Sequence, residues 1–171
     1  IPFPFMLKGD FSGGGRQTFE CTSDSGFAAL LKNFNAYPAV LQEKIIGEEI
    51  GIEAFYQQGA LIHFSYARPL KTVENRKFAP SKLREYTQTG ALDATLLDDL
   101  RNLGRALGAD GFVNISLLVA QADQKRYFFE ADMRPTTWVD FPKFFGDAPA
   151  HKIKNYFRSG MTCNELAQRD A

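Results

Sequence analysis

The sequence predicts an α+β protein, antiparallel strands with a few packed helices, and three observations carry that expectation. Strand-like runs recur and fold back on one another: Gln17 to Thr22 returns on Pro2 to Lys8, and Ala60 to Tyr66 returns on Glu48 to Tyr56 across the turn Gln57-Gln58-Gly59. Phe27, Leu30, Leu31 and Phe34 fall at i, i+3, i+4 and i+7, the spacing of one helix face. A second helical stripe comprises Leu96, Leu97, Leu100, Leu103 and Leu107.

Taken in order, Pro2 to Lys8 reads as a strand followed by the loop Gly9-Asp10-Phe11-Ser12-Gly13-Gly14-Gly15-Arg16. Consecutive glycines leave backbone amides open to wrap an anion. Ser23-Asp24-Ser25 supplies capping side chains for the first helix, which Asn35 to Pro38 ends. Ala39 to Ile46 is the next strand, broken by Gly47 before the hairpin of Glu48 to Tyr66. Ala67 to Gly90 is polar, rich in Lys and Arg, and reads as an excursion with one short helix near Ser81 to Tyr86. Asp93 caps the leucine-striped helix and Gly108 ends it. Phe112 to Ala120 and Arg126 to Met133 are strands joined by Gln121 to Lys125. Ile153, Tyr156 and Phe157 mark a helix in the tail, and Thr162-Cys163-Asn164-Glu165 fits a capping box for a last one.

At 171 residues and 44% hydrophobic, the chain can bury a substantial core, as one globular unit or as two small lobes of a larger enzyme. Lys plus Arg equals Asp plus Glu at 20 each, so charge balance gives no argument for nucleic acid or an anionic membrane. Cys21 and Cys163 are too few for a zinc pattern or a disulfide scaffold and read as buried thiols. No apolar run approaches the roughly 20 residues of a membrane span, and no signal-peptide pattern is present, so a cytoplasmic protein is expected. The first residue is Ile1 rather than Met, which fits removal of a leading segment or a piece of a longer chain.

In Phe129-Glu130-Ala131-Asp132-Met133-Arg134-Pro135 two acids and an arginine stand at spacing two, so in an extended chain they share one face. Two carboxylates suit Mg²⁺, and the guanidinium offers a fork for phosphate or carboxylate. On these residues alone an ordinary solvated strand face is the better reading.

The order of elements resembles the ATP-grasp superfamily, whose members include biotin carboxylase and D-alanine:D-alanine ligase, without the N-terminal domain such enzymes carry. The resemblance implies two lobes built on antiparallel sheets with packed helices, residues 1–46 forming the smaller lobe with the glycine-rich loop and 47–171 the larger lobe with the metal-bearing strands. Pro4 to Gly9 resembles the strand whose lysine, here Lys8, holds ATP phosphates. Ser12, Gly13, Gly14 and Gly15 resemble the loop that closes over them. Leu41 to Glu49 resembles the adenine hinge, with Gln42 or Glu43 at the amino group, backbone near Lys44 and Ile45 at the ring, and Glu49 at the ribose.

Glu130 and Asp132 match the second metal strand, and Asp132 stands where the family usually has asparagine. Ser116 departs from the pattern, standing where a first metal carboxylate is expected, with Asn114 two residues away on the same face. Arg134 matches an arginine that steadies the acyl phosphate or acceptor, or else pairs with a carboxylate of its own strand. Arg68 is a further candidate for phosphate or substrate, whereas His63 and His151 are isolated.

The implied activity is ATP- and Mg²⁺-dependent ligation, in which a substrate carboxylate becomes an acyl phosphate that an amine or other nucleophile attacks. The alternative is a nucleotide-binding domain silenced at Ser116. Small-molecule carboxylates and amines are the implied partners and a homodimer is an allowed assembly, with neither nucleic acid nor membrane expected.

Overall fold

The structure is a computed structural model that describes residues 1–10, 17–73, 81–87, 94–146 and 148–159. Ser12, Gly13, Gly14, Gly15, the expected cap Asp93 and the capping box at Thr162 to Glu165 lie outside the described residues. The chain divides into two compact units, Ile1–Ile46 with Lys71–Leu83, and Gly47–Leu70 with Arg84–Ala171.

The first unit holds a three-stranded antiparallel sheet in the order β2-β1-β3, from β1 (Phe5–Gly9), β2 (Thr18–Cys21) and β3 (Ala39–Glu43). Strand alternation sends Phe5 and Leu7 into a core shared with Cys21 and Phe34, while Phe19, Phe27, Leu30, Ala36 and Ala39 pack against it. Helix α1 (Asp24–Leu31) starts at Ser23, whose Oγ accepts a hydrogen bond from the Gly26 amide at 3.2 Å. The helical stripe is shorter than expected. Phe34 enters the core from beyond the helix end, and Leu31 remains 38% exposed. Strand β3 stops at Glu43 and not at Ile46.

The other sheet has five strands in the order β6-β5-β4-β7-β8, and most of its residues belong to the second unit. Its strands are β4 (Gly47–Gln57), β5 (Ala60–Val73), β6 (Ser81–Thr87), β7 (Gly111–Ala120) and β8 (Arg126–Asp132). Helices α2 (Ala94–Leu107) and α3 (Pro149–Ser159) and a 3-10 turn at Phe141–Phe145 complete the second unit. The expected short helix near Ser81 to Tyr86 is instead strand β6, and β5 runs on to Val73. A segment of six residues is too short for helical period to assert itself. Its pairing with β5 at the end of the sheet order makes it a strand.

Strands β4 and β5 join through Gln58 and Gly59, both left-handed at φ 49° and 81°, the geometry of a two-residue hairpin turn. One sheet face buries Ile50, Ile52, Ala54, Tyr56, Leu61, Val113, Ile115 and Leu117 against Leu96 and Leu100 of α2. Each fully buried Leu or Ile adds about 1.5–3 kcal/mol to folding. Leu97 and Leu103 pack at the margin of this core, whereas Leu107 is 44% exposed and does not complete the stripe. The Tyr56 hydroxyl donates to the Leu100 carbonyl at 3.0 Å. Helix α2 approaches closely because residue 104 is glycine: a Cβ there would lie 2.3 Å from the Tyr56 ring. Among the described residues no helix is long and apolar enough to cross a membrane.

Candidate functional site

The face of β4, β7 and β8 turned away from α2 carries the polar side chains. Register places Gly51 of β4 opposite Ser116 of β7, and Ser116 opposite Glu130 of β8. The adjacent row runs Ser65, Glu53, Asn114 and Asp132 across four strands. Directly opposed residues of an antiparallel pair lie on the same side of the sheet, so Ser116, Asn114, Glu130 and Asp132 form one block.

A β-bulge creates that block. Leu117 pairs with Phe128 and Ser116 with Glu130, so Phe129 is the extra residue. Before it, Arg126 and Phe128 lie on the α2 side, and Arg126 accordingly pairs with Asp99 of α2 at 3.2 Å and donates to Thr95 at 3.0 Å. After it, Glu130 and Asp132 lie on the polar side. Unbroken alternation from Arg126 would have put all four on one face.

Asn114 is half-buried and its Nδ2 donates to Glu53 Oε1 at 2.9 Å and to the Ile52 carbonyl at 3.4 Å. Thr136, just past β8, donates to the same Glu53 oxygen. Glu53 is itself buried. Sequence reasoning passed over it, although a carboxylate between Ile52 and Ala54 in an apolar strand is a visible signal. Arg134 Nη2 meets Asp132 Oδ2 at 2.7 Å, the same-strand ion pair weighed as its alternative role. Among the described residues no three His, Cys, Asp or Glu side chains converge as a metal cage. The block offers two carboxylates, a hydroxyl and an amide. Such an all-oxygen set fits a hard cation that retains water and shares its shell with phosphate.

The remaining candidates are placed as follows. Arg68 is clamped by Glu85, through Nε at 3.2 Å and Nη2 at 2.7 Å, and by Glu48 at 3.1 Å. These carboxylates raise the already high pKa of its guanidinium, the Glu85 hydrogen bond contributing most. Glu49 lies opposite Leu118, at the start of β4.

In the first unit, Lys8 pairs with Thr18 and Val40, and Met6 pairs with Glu20 and Gln42. Lys8 and Gln42 therefore share the face opposite Phe5 and Leu7, while Glu43, opposite Phe5, lies on the other side. Lys44 forms an ion pair with Glu20 at 2.7 Å, and Ile45 follows β3. His63 is buried opposite Phe55, and His151 is exposed in α3.

No family model matches the chain in sequence, and no curated protein matches it either. Solved structures match in shape. The D-alanine–D-alanine ligase of Bacillus anthracis superposes with a TM-score of 0.61 at 15% identity, over 99% of this chain and 57% of the ligase. The biotin carboxylase domain of the Hydrogenobacter thermophilus 2-oxoglutarate carboxylase, solved as a dimer with MgADP and bicarbonate, gives 0.62 at 16% identity, over 95% and 38%. The ATP-grasp ligase PsnB with its minimal precursor gives 0.54 at 16% identity, over 85% and 44%. The chain thus spans about half the length of these structures or less, and what is shared at such identity is the fold.

Proposed function

We propose that this chain, which has the ATP-grasp fold, is the nucleotide- and metal-binding part of an ATP-dependent ligase that activates a carboxylate for attack by an amine or other nucleophile. The observation that supports the metal role above all is the facing of Glu130 with Ser116 and of Asp132 with Asn114. Glu130, Asp132, Ser116 and Asn114 hold Mg²⁺ in this reading, and the ion supplies charge neutralisation at the phosphate oxygens.

The first unit contributes Lys8 as a point charge for phosphate, with Ser12, Gly13, Gly14 and Gly15 as amide donors. Its share of the adenine contacts falls to Gln42 in preference to Glu43, because Gln42 shares the Lys8 face. Backbone at Lys44 and Ile45 reads the ring, and Glu49 serves the ribose. A substrate carboxylate oxygen attacks the γ-phosphorus as the bond to the bridging oxygen breaks and ADP departs. The amine then attacks the acyl carbon and phosphate leaves. Arg134 steadies the acyl phosphate after exchanging Asp132 for it, and Arg68, held by Glu48 and Glu85, serves at most as a positioned positive charge. Small-molecule carboxylates and amines are the partners in this reading, with a homodimer as the assembly.

Ser116 favours a second reading, nucleotide binding without ligation, because a hydroxyl is a neutral, weak ligand where a carboxylate is expected. Calorimetry of ADP binding with Mg²⁺ and with EDTA tests the metal role. Binding is expected to strengthen with Mg²⁺, and Glu130→Gln to remove most of that gain; equal affinity under all conditions overturns it. ADP formation on adding carboxylates and amines to the full chain separates ligase from silent binder. Ser116→Asp should tighten Mg²⁺ binding about tenfold, on the premise that one added carboxylate contributes about 1.4 kcal/mol, and an unchanged affinity argues against this placement of Ser116.

A further inference from the structure

We infer that Glu53 is a positioning residue that orients the Asn114 amide so that its oxygen, and not its nitrogen, is offered to the cation; the inference rests on the metal role proposed above and adds a residue to it. Glu53 Oε1 accepts from the Thr136 hydroxyl and from Asn114 Nδ2 at 2.9 Å, so the end of Asn114 that meets this acceptor is the NH₂. The Ile52 carbonyl, the second group within reach of Nδ2 at 3.4 Å, is likewise an acceptor. Turning the amide over would bring Oδ1 against two acceptors. Its orientation is therefore fixed by two neighbours of the same sense.

The consequence appears at the other end of the amide. Among the described residues Oδ1 of Asn114 receives no hydrogen bond, and Asp132 stands directly opposite Asn114 in the register. An amide oxygen is a neutral hard ligand of the kind a Mg²⁺ or Mn²⁺ shell accepts beside carboxylates. Where an acid is replaced by Ser116, a correctly turned amide becomes a larger part of the donor set.

Glu53 also receives the Thr136 hydroxyl, and Thr136 Oγ1 in turn accepts from the Trp138 amide at 3.2 Å. One buried carboxylate thus ties the amide on β7 to the segment that leaves β8 just after Asp132. It holds Asn114 from the neighbouring strand, as outer partners of metal ligands do.

The test uses the full chain with Mn²⁺ and ADP, reading free Mn²⁺ by electron paramagnetic resonance. Glu53→Leu should weaken Mn²⁺ binding in the presence of ADP about tenfold or more, the usual effect of losing such a partner. ADP affinity in EDTA should stay within about twofold, and Glu53→Gln, whose Oε1 still accepts from Asn114, should restore Mn²⁺ binding to within about threefold of the original chain. Unchanged Mn²⁺ binding in Glu53→Leu overturns the positioning role alone, whereas an original chain that binds no Mn²⁺ with ADP overturns the metal role beneath it. Should Glu53→Leu fail to fold, the unmodified chain still decides: the Asn114 side-chain amide resonances must shift on adding Mg²⁺ and ADP, and fixed resonances overturn the inference.

Discussion

The two faces of the five-stranded sheet come from the same strands and answer to different rules. On the α2 side, Ile50, Ile52, Ala54 and Tyr56 of β4 meet Val113, Ile115 and Leu117 of β7 with no polar group left over beyond the Tyr56 hydroxyl, which reaches the Leu100 carbonyl. On the other side, the intervening positions hold Glu53, Asn114, Ser116, Glu130 and Asp132. Alternation alone explains the contrast across β4 and β7. In β8 the rule is interrupted, because the bulge at Phe129 moves the strand from one set of obligations to the other: Arg126 serves the helix and Glu130 the polar face. The apolar core lies on one side and the carboxylates, hydroxyl and amide on the other, with a single extra residue in β8 marking the change.

The largest expected effect lies on the helix side. Leu100→Ala empties a fully buried position and should cost about 2–5 kcal/mol in a urea melt. Ser116→Ala, on the opposite face, should change stability by no more than about 0.5 kcal/mol. Similar losses for the two would erase the distinction between the faces.

Deletions in β8 sharpen the same contrast at a smaller scale. Removing Ala131 makes Asp132 the immediate neighbour of Glu130, so the two acids leave on opposite sides of the strand. Mn²⁺ binding in the presence of ADP should then fall about tenfold or more, a loss of at least about 1.4 kcal/mol. Removing Phe129 deletes only the extra residue and leaves Glu130 facing Ser116, so binding should survive. If both deletions behave alike, the bulge does not aim the acids.

Much of this architecture was legible in the chain because it rests on local chemistry. The Ser23 cap, the Gln58-Gly59 turn and the end of α2 at Gly108, which is left-handed at φ 58°, each depend on a few adjacent residues. The grouping of Glu130, Asp132, Ser116 and Asn114 was also within reach, through spacing and resemblance. What escaped depends on partners distant in sequence. Strand β6 is a strand because β5 lies beside it, and nothing within Ser81 to Thr87 says so. The bulge is invisible since Arg126 to Asp132 can alternate without interruption. Burial of Glu53 requires β5 and β7 on both sides of β4, and the clamp on Arg68 requires Glu48 and Glu85 from two other strands.

The smallest effect concerns the buried Tyr56 hydroxyl on the helix side. Burial raises the Tyr56 phenol well above its ordinary value near 10, so the folded chain keeps its proton where the unfolded chain begins to lose it. The sign follows: the contribution of Tyr56 is complete below pH 10, and it declines as pH rises from there toward the folded value. At pH 8, Tyr56→Phe should cost about 1 kcal/mol, the net worth of the hydrogen bond to Leu100. Above pH 10 the advantage of the original chain over the variant should shrink, by up to about 1.4 kcal/mol for each further pH unit. Urea midpoints of the two chains at pH 8, 10 and 10.5 give the comparison directly. Other tyrosines and lysines titrate equally in both and cancel. A constant difference across that range would mean that the Tyr56 phenol is not shielded by α2, and the helix face would then be less tightly closed than its packing implies.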